Sequence, residues 1–232
     1  MINIELTEDE KDCLQELMNV AYGSATAAIT EIFDAFAKLS IPTIKIINAL
    51  DLKDYLAKEL NFKDEHFIAS QQINGPLNGE NMFIIDKKSA TNMSIKFCFS
   101  DDEISNEDIS DITLEITNIL SSSTISKLAE NMETSVSFSA PTIKTINSIN
   151  QLNNIFISNY EKVIIISTKL EFDDLNIHGE LFILTTDNSI LFIKEKKQLG
   201  VLLIEQNWGV EQCVELENKI RSITSIDQIQ WE

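Results

Sequence analysis

The sequence predicts an α+β fold in which two similar halves, each a helix, a strand and a hairpin, pair into one largely antiparallel sheet with long helices packed on it. A sparse polar pattern occurs twice, 99 residues apart. Segments with the character of strands follow each copy in hairpin order, which favours antiparallel pairing. Neither half has an obvious core of its own, so one shared sheet about a pseudo-twofold axis is the most economical arrangement.

The repeated pattern is an acid, a second acid, an amide and a proline. Its two copies are Asp12-x3-Glu16-x2-Asn19-x22-Pro42 and Asp111-x3-Glu115-x2-Asn118-x22-Pro141. The prolines open the similar segments Pro42-Thr-Ile-Lys-Ile-Ile-Asn48 and Pro141-Thr-Ile-Lys-Thr-Ile-Asn147. We interpret the repeat as an internal duplication.

In the first half, a helix is predicted from about Thr7 into the thirties, because Thr7 and Glu10 form a capping box ahead of a helical apolar stripe. Gly23 and Ser24 mark a point of interruption or kinking. The segments predicted next are a strand from Thr43 to about Ala49, a helical turn at Leu52–Leu60, strands at Phe67–Ile73 and Asn81–Asp86 around the turn-rich Asn74–Gly79, and the helical Ser89–Phe99.

The second half repeats this order. Its predicted elements are a helix at Ile104–Glu130, a strand at Thr142–Ile149, and hairpin strands at Val163–Leu170 and Glu180–Thr185. We therefore assign residues 1–194 to a single domain made of two repeats, about 1–100 and 101–194. Residues 195–232 form a C-terminal extension without a readable role, in which Val201–Ile204 resembles a strand and Val210–Ile223 an amphipathic helix.

Composition excludes several classes of function. The formal net charge of −19 argues against binding to nucleic acid or to an anionic membrane and favours a basic partner or a role in solubility. Acids cluster around both motifs, with seven acids and no base in residues 101–118, although acids also favour the first turns of helices. No signal peptide and no run of about 20 apolar residues occurs, which predicts a cytoplasmic location.

The sequence predicts no metal site and no cofactor of the protein's own. Cys13, Cys98 and Cys213 are far apart, so reduced structural cysteines are expected. His66 and His178 stand outside any metal-binding or catalytic pattern. The one arginine is Arg221, so the motif region has no arginine to neutralise charge on a substrate.

Helix geometry gives the repeated residues a common face. At about 100° per residue, positions i, i+4 and i+7 fall within about 60° of each other, so Asp12, Glu16 and Asn19 project together, opposite Leu14, Leu17, Val20 and Ala21. Asp111, Glu115 and Asn118 do the same opposite Ile112, Ile116, Ile119 and Leu120. An amide is both donor and acceptor and can orient an attacking water. A single copy of the pattern would be interpreted as ordinary solvated surface residues, but two copies favour a functional site.

The pattern resembles the signature of the CheC/CheX/FliY phosphatases, which dephosphorylate the phospho-aspartate of the chemotaxis response regulator CheY, and the resemblance covers about residues 7–186. It implies that Asn19 and Asn118 orient the hydrolytic water and that Glu16 and Glu115 contact a lysine of the regulator. Asp12, Asp111, Pro42 and Pro141 would support the motif or bind the partner. It also implies that Mg²⁺ belongs to the response regulator.

Two alternatives stay open at this point. The chain could be a non-catalytic binding module for a receiver domain or for a CheD-like deamidase. The two sites could also differ, because Tyr22 is bulky where the second copy continues with Ser121-Ser-Ser123. We therefore expect the second site to be the more active one. The sequence does not predict the oligomeric state.

Overall fold

A computed structural model of the chain describes residues 6–60, 64–97, 104–148, 151, 161–172, 175–186 and 189. The helices are α1 (Glu8–Phe33), α2 (Leu52–Glu59), α3 (Lys87–Phe97) and α4 (Asn106–Asn131), and a short 3-10 turn covers Ala49–Asp51. The strands are β1 (Lys38–Leu39), β2 (Thr43–Asn48), β3 (His66–Asn74), β4 (Gly79–Asp86), β5 (Ser137–Phe138), β6 (Thr142–Ile146), β7 (Lys162–Phe172) and β8 (Ile177–Thr186).

Capping boxes begin both long helices. The Thr7 hydroxyl accepts from the Glu10 backbone N–H, and the Glu10 carboxylate accepts from the Thr7 backbone N–H at 2.7 Å. Ser105 and Asp108 make the same exchange at the start of α4, and the Ser105 hydroxyl, together with the Ser105 backbone N–H, donates to the Asp108 carboxylate and holds its pKa below the usual range. Both boxes satisfy backbone donors that a helix start leaves free. The predicted start of α1 is confirmed, and α1 continues through Gly23 and Ser24 without a break.

The described strands form one eight-stranded sheet in which every pairing is antiparallel. The strand order is β1-β7-β8-β4-β3-β5, with β2 also paired to β7 and β6 also paired to β3. The predicted α+β class and antiparallel sheet are confirmed. Each half lends its β2 or β6 to a strand of the other half, so the halves are interlocked.

The pairing at the centre of the sheet has the register expected of two halves related by a pseudo-twofold axis. Met82 of β4 lies opposite Phe182 of β8, which is its own counterpart 100 residues later. Gly79 pairs with Thr185, and Gly179 pairs with Ile85. The common origin of the two halves stays an interpretation.

The sheet separates two apolar clusters. One face packs against α1, α3 and α4, and this larger cluster includes Met18, Ile116, Phe67 and Ile183. The other face is covered by α2, whose Leu52 and Leu56 pack with Met82 and Phe182. The larger cluster takes residues from both halves, so the motif-bearing helices lie side by side on a common core.

Several predicted bounds change. The two-residue strands β1 and β5 were not predicted, because so short a segment carries no readable alternation. The strand predicted at Thr142–Ile149 ends at Ile146. Gly79, interpreted as a turn glycine, is the first residue of β4, and a Cβ there would meet the backbone of Leu184. The segments predicted beyond Ser189 and the C-terminal extension lie outside the described residues.

Candidate functional site: two acidic helix faces

The first motif lies on the outer side of α1. Asp12 and Glu16 are exposed and Asn19 is half-buried, whereas Leu14 and Ala21 are buried on the opposite side. Val20 was predicted to pack inward and is instead 37% exposed. Val20 lies about 40° from Glu16 on the helix, at the edge of the outer face, and the equivalent Ile119 of α4 is 7% exposed, so the packing beside each helix and not the helix angle decides burial at this position.

The second motif lies on the outer side of α4. Asp111, Glu115 and Asn118 are all exposed. The side of the helix opposed to them is buried as predicted, through Ile112, Ile116, Ile119 and Leu120. Each helix therefore carries two carboxylates and one amide on a surface that its own packing does not use.

The motif carboxylates have no partner within the described part of the chain. No hydrogen bond or ion pair from that part engages the carboxylates of Asp12, Glu16, Asp111 or Glu115. The first-turn acids of both helices, such as Glu8 and Glu107, are accounted for by the helix dipole. The motif acids lie beyond the first turn, so the dipole does not explain them, and they are available to a cationic group of a partner.

The two prolines lie in short segments held beside the motif helices. Pro42 is buried, and its carbonyl accepts a hydrogen bond of 2.9 Å from Gln15 Nε2 on α1. Pro141 is half-buried and follows Ser139, whose backbone N–H donates to the Gln72 carbonyl at 3.1 Å. The segment of Pro42 is thus hydrogen-bonded to its own motif helix, and the segment that precedes Pro141 is hydrogen-bonded to β3.

The second site contains an amide pair that the first lacks. Gln71 of β3 is 2% exposed, and its Nε2 donates to Asn118 Oδ1 at 3.1 Å and to the Ser139 carbonyl at 2.8 Å. The side chain of Asn19 makes no hydrogen bond within the described residues. The two motif amides therefore differ in how firmly they are held.

A groove with apolar edges borders the first site. Its volume is about 710 Å³, and its lining includes Asn19, Tyr22, Phe36 and Ile41. Phe36 is 79% exposed and Ile41 72% exposed. Tyr22 itself is only 3% exposed, so its ring packs into the core beneath the helix surface, and burial without a hydrogen-bond partner among the described residues raises the pKa of its hydroxyl.

No alternative catalytic constellation occurs in the described residues. His66 lies with Nδ1 at 2.8 Å from the Asp64 carbonyl, and His178 lies 4.0 Å from Glu171. Within the described ranges, no group of three His, Cys, Asp or Glu side chains is placed to hold a metal ion.

No described helix is long and apolar enough to cross a membrane. Of the cysteines, Cys13 is half-buried on α1, and Cys98 and Cys213 lie outside the described residues.

Comparison with known proteins gives structural matches only. No protein-family model matches the sequence, and no curated protein sequence matches it. FliY of Thermotoga maritima has a TM-score of 0.67 at 19% identity, over 86% of this chain and 100% of that one. FliM of H. pylori, solved as a FliM–SpeE complex, has a TM-score of 0.60 at 12% identity, over 85% and 99% of the two chains. A chain of a FliG–FliM complex of H. pylori has a TM-score of 0.53 at 14% identity, over 82% of this chain and 100% of that one.

These likenesses establish the fold. The chain has the α+β fold of FliY, as the motif resemblance implied. The two residues that the sequence did not predict as part of the site are Gln15 and Gln71. Gln15 lies one turn before Asn19, where an amide side chain next to Glu16 is a signal that can be read from the sequence. Gln71 carries no such signal, because it reaches Asn118 only through the packing of β3 against α4.

Proposed function

We propose that the protein is a phosphatase that hydrolyses the phospho-aspartate of a CheY-like receiver domain in chemotaxis signalling. The observation that carries this proposal is the repeated placement of a glutamate and an asparagine on one outward helix face, with the glutamate unpaired among the described residues. The FliY-type fold is consistent with it, because the motif resemblance and the fold point independently to the same group of proteins.

The proposed reaction divides the work between two proteins. The receiver domain brings the phospho-aspartate, its Mg²⁺ and a lysine. Asn19 or Asn118 enters the receiver's site and orients a water towards the phosphorus. The water attacks, the bond between phosphorus and the aspartate oxygen breaks, and inorganic phosphate and the free carboxylate are released. Phosphoryl transfer of this kind depends more on positioning and charge neutralisation than on a strong base, so an amide suffices.

The glutamates would dock the partner. Glu16 and Glu115 would each pair with the receiver's lysine and fix the amide beside the phosphoryl group. The motif region has no arginine, so neutralisation of the developing charge falls to the partner's metal and lysine. Opposite charges across an interface steer association and fix its register.

A second candidate is a binding module that docks a receiver domain or a CheD-like deamidase without turnover. Two of the structural neighbours are FliM proteins solved as complexes with SpeE and with FliG, so this fold is seen in protein–protein complexes. The apolar groove beside Asn19 offers contact area that hydrolysis does not require. Both candidates use the same acidic faces, and they differ in whether the amides are needed.

The amides therefore decide between the candidates. Receiver domains from the same host are phosphorylated with radiolabelled phosphate, and loss of label is followed with wild type, Asn19→Ala, Asn118→Ala and the double variant. We expect each single variant to retain the activity of one site and the double variant to lose about 100-fold or more, because water positioning is lost. Binding without any acceleration by the wild type would support the binding module instead.

A further inference from the structure

The side-chain amide of Asn118 accepts a hydrogen bond from the buried Gln71. Gln71 Nε2 has two hydrogens, and the structure uses both, one for the Ser139 carbonyl at 2.8 Å and one for Asn118 Oδ1 at 3.1 Å. The three groups belong to β3, to α4 and to the segment that precedes Pro141. Gln71 thus connects the motif amide to the motif proline's segment.

This pattern fixes which atoms face outward. A backbone carbonyl only accepts, so the Gln71 side chain must turn Nε2, and not Oε1, towards Ser139. With both Nε2 hydrogens donated, the atom of Asn118 that faces Gln71 must be the acceptor Oδ1. The orientation of both amides follows from this network. The Nδ2 hydrogens of Asn118 and the second lone pair of Oδ1 are then left for a water or a partner.

In the first half, a threonine takes the place of Gln71 and is enough to hold the segment that precedes the motif proline. Ser70 of β3 pairs with Thr142, and Ser167 of β7 pairs with Thr43, so Gln71 and Thr168 occupy equivalent positions. The Thr168 hydroxyl donates to the Ser40 carbonyl, just as Gln71 donates to Ser139. A hydroxyl has one hydrogen, so Thr168 has none left for Asn19.

Burial of the Gln71 side chain is also unfavourable in one respect. Its Oε1 is buried and has no hydrogen-bond partner among the described residues. A buried polar atom without a partner is unfavourable. A threonine at this position would supply the hydrogen bond to Ser139 without that orphan oxygen, so the surplus hydrogen bond to Asn118 is what the glutamine adds.

We infer that Gln71 is a positioning residue that pre-organises the Asn118 amide, which makes the second motif the faster of two unequal sites. The inference rests on the proposed function, and it goes beyond it by assigning a role to a residue outside the motif. Asn19, without such a support among the described residues, must be ordered when a partner binds. Pre-positioning of a reacting group lowers the barrier of the step that it serves.

The kinetic test isolates the second site. In an Asn19→Ala background, Gln71→Thr keeps a hydroxyl for Ser139 and removes the support of Asn118. We expect kcat on a phosphorylated receiver domain to fall about tenfold with KM changed less than twofold, because misplacement of a catalytic group acts on the chemical step. Thr168→Ser, which changes the matching position of the first half and keeps its hydroxyl, should leave this kcat unchanged.

A second measurement does not depend on activity. The side-chain amide resonances of Asn118 and Asn19 are followed by NMR in the protein without any partner. We expect a high order parameter for Asn118 and a low one for Asn19, and Gln71→Thr should lower the first to the level of the second. Gln71→Met, which keeps the side-chain length, should have the same effect and guards against a cavity left by threonine.

The outcomes separate the two proposals. Acceleration of no receiver domain by the wild type would remove the proposed phosphatase function, and the NMR comparison would still decide whether Gln71 holds Asn118. An Asn118 amide as mobile as that of Asn19, or one unaffected by Gln71→Thr and Gln71→Met, overturns the inference. A fall in kcat of the same size when Gln71→Thr is added to Asn118→Ala in a chain that keeps Asn19 also overturns the inference, because Gln71 would then affect the rate without the Asn118 amide.

Discussion

Single side chains determine what each site offers. The motif glutamates make no ion pair within the described residues, which leaves their charge for a partner. The motif amides differ, because Asn118 is bonded to the buried Gln71 while Asn19 borders an open groove. The bulk of Tyr22, from which a weaker first site was predicted, lies in the core, so the reason to expect a faster second site is the hydrogen bond from Gln71 to Asn118 and not Tyr22.

Charge reversal at Glu115 tests the docking role. In a chain with Glu16→Ala and Asn19→Ala, so that one site remains, we expect Glu115→Lys to weaken binding to a receiver domain activated with beryllium fluoride by about tenfold or more, since like charges at an interface repel. Titration calorimetry measures the affinity.

The matched control is Glu130→Lys, which makes the same change in net charge on the same helix. Glu130 is exposed and lies 15 residues, roughly 22 Å, further along α4. Its contact with Lys127 is a surface ion pair of little energetic value. If both variants weaken binding equally, the effect is general electrostatics and Glu115 has no specific contact.

Elements were predictable from the sequence where their signals are local. The capping box at Thr7 and the apolar stripe gave the start of α1 to within one residue, and the helix predicted at Ile104–Glu130 is observed at Asn106–Asn131, with a capping box at Ser105 that was not predicted. The hairpin strands followed from turn residues between alternating segments. The Gln71–Asn118 contact was not predictable, because it joins residues 47 positions apart through the packing of a strand against a helix.

The sheet contains one carboxylate whose ionisation opposes folding. Burial raises the pKa of Glu180 on β8, and the opposing effect of Lys169, its cross-strand neighbour, is smaller. Because the folded-state pKa exceeds the unfolded one, the charged form destabilises the fold at neutral pH, and this effect disappears as pH falls below the unfolded pKa of about 4.3.

We therefore expect Glu180→Gln to raise the free energy of unfolding at pH 7 and to have progressively less effect towards pH 4. Urea unfolding at several pH values measures this difference. Glu161→Gln, at an exposed position, serves as the control and should change little at any pH. A gain for Glu180→Gln that is independent of pH would show that ionisation is not its cause.

At the scale of the whole molecule, the two halves are joined through the pairing of β4 with β8 and through the exchange of β2 and β6. Glycines permit the central pairing, because a Cβ at Gly79 would meet the Leu184 backbone and a Cβ at Gly179 would meet the Phe83 ring. The motif helices α1 and α4 lie on the core that this pairing creates. Presentation of both acidic faces thus depends on the joint between the halves.

Two glycine substitutions, each of which adds one methyl group, test the pairing of β4 with β8. Gly79→Ala should lower the free energy of unfolding by about 1–3 kcal/mol through overpacking against Leu184. Gly23→Ala, within α1 and with nothing within 4 Å of the added Cβ, should raise it by about 0.5–1 kcal/mol, because alanine favours the helix. Thermal or urea unfolding gives both values, and a stable Gly79→Ala variant would contradict the close approach of β4 and β8.

The proposal that the amides of Asn19 and Asn118 act on a partner's phosphoryl group is tested by a single rate. The rate of phosphate loss from a phosphorylated receiver domain of the same host is measured with saturating wild type and with the Asn19→Ala/Asn118→Ala variant, both shown to bind the receiver. We predict that the wild type accelerates the loss and that the double variant returns it to the receiver's own rate. A double variant as fast as the wild type, or a wild type that accelerates no receiver domain, would contradict the claim.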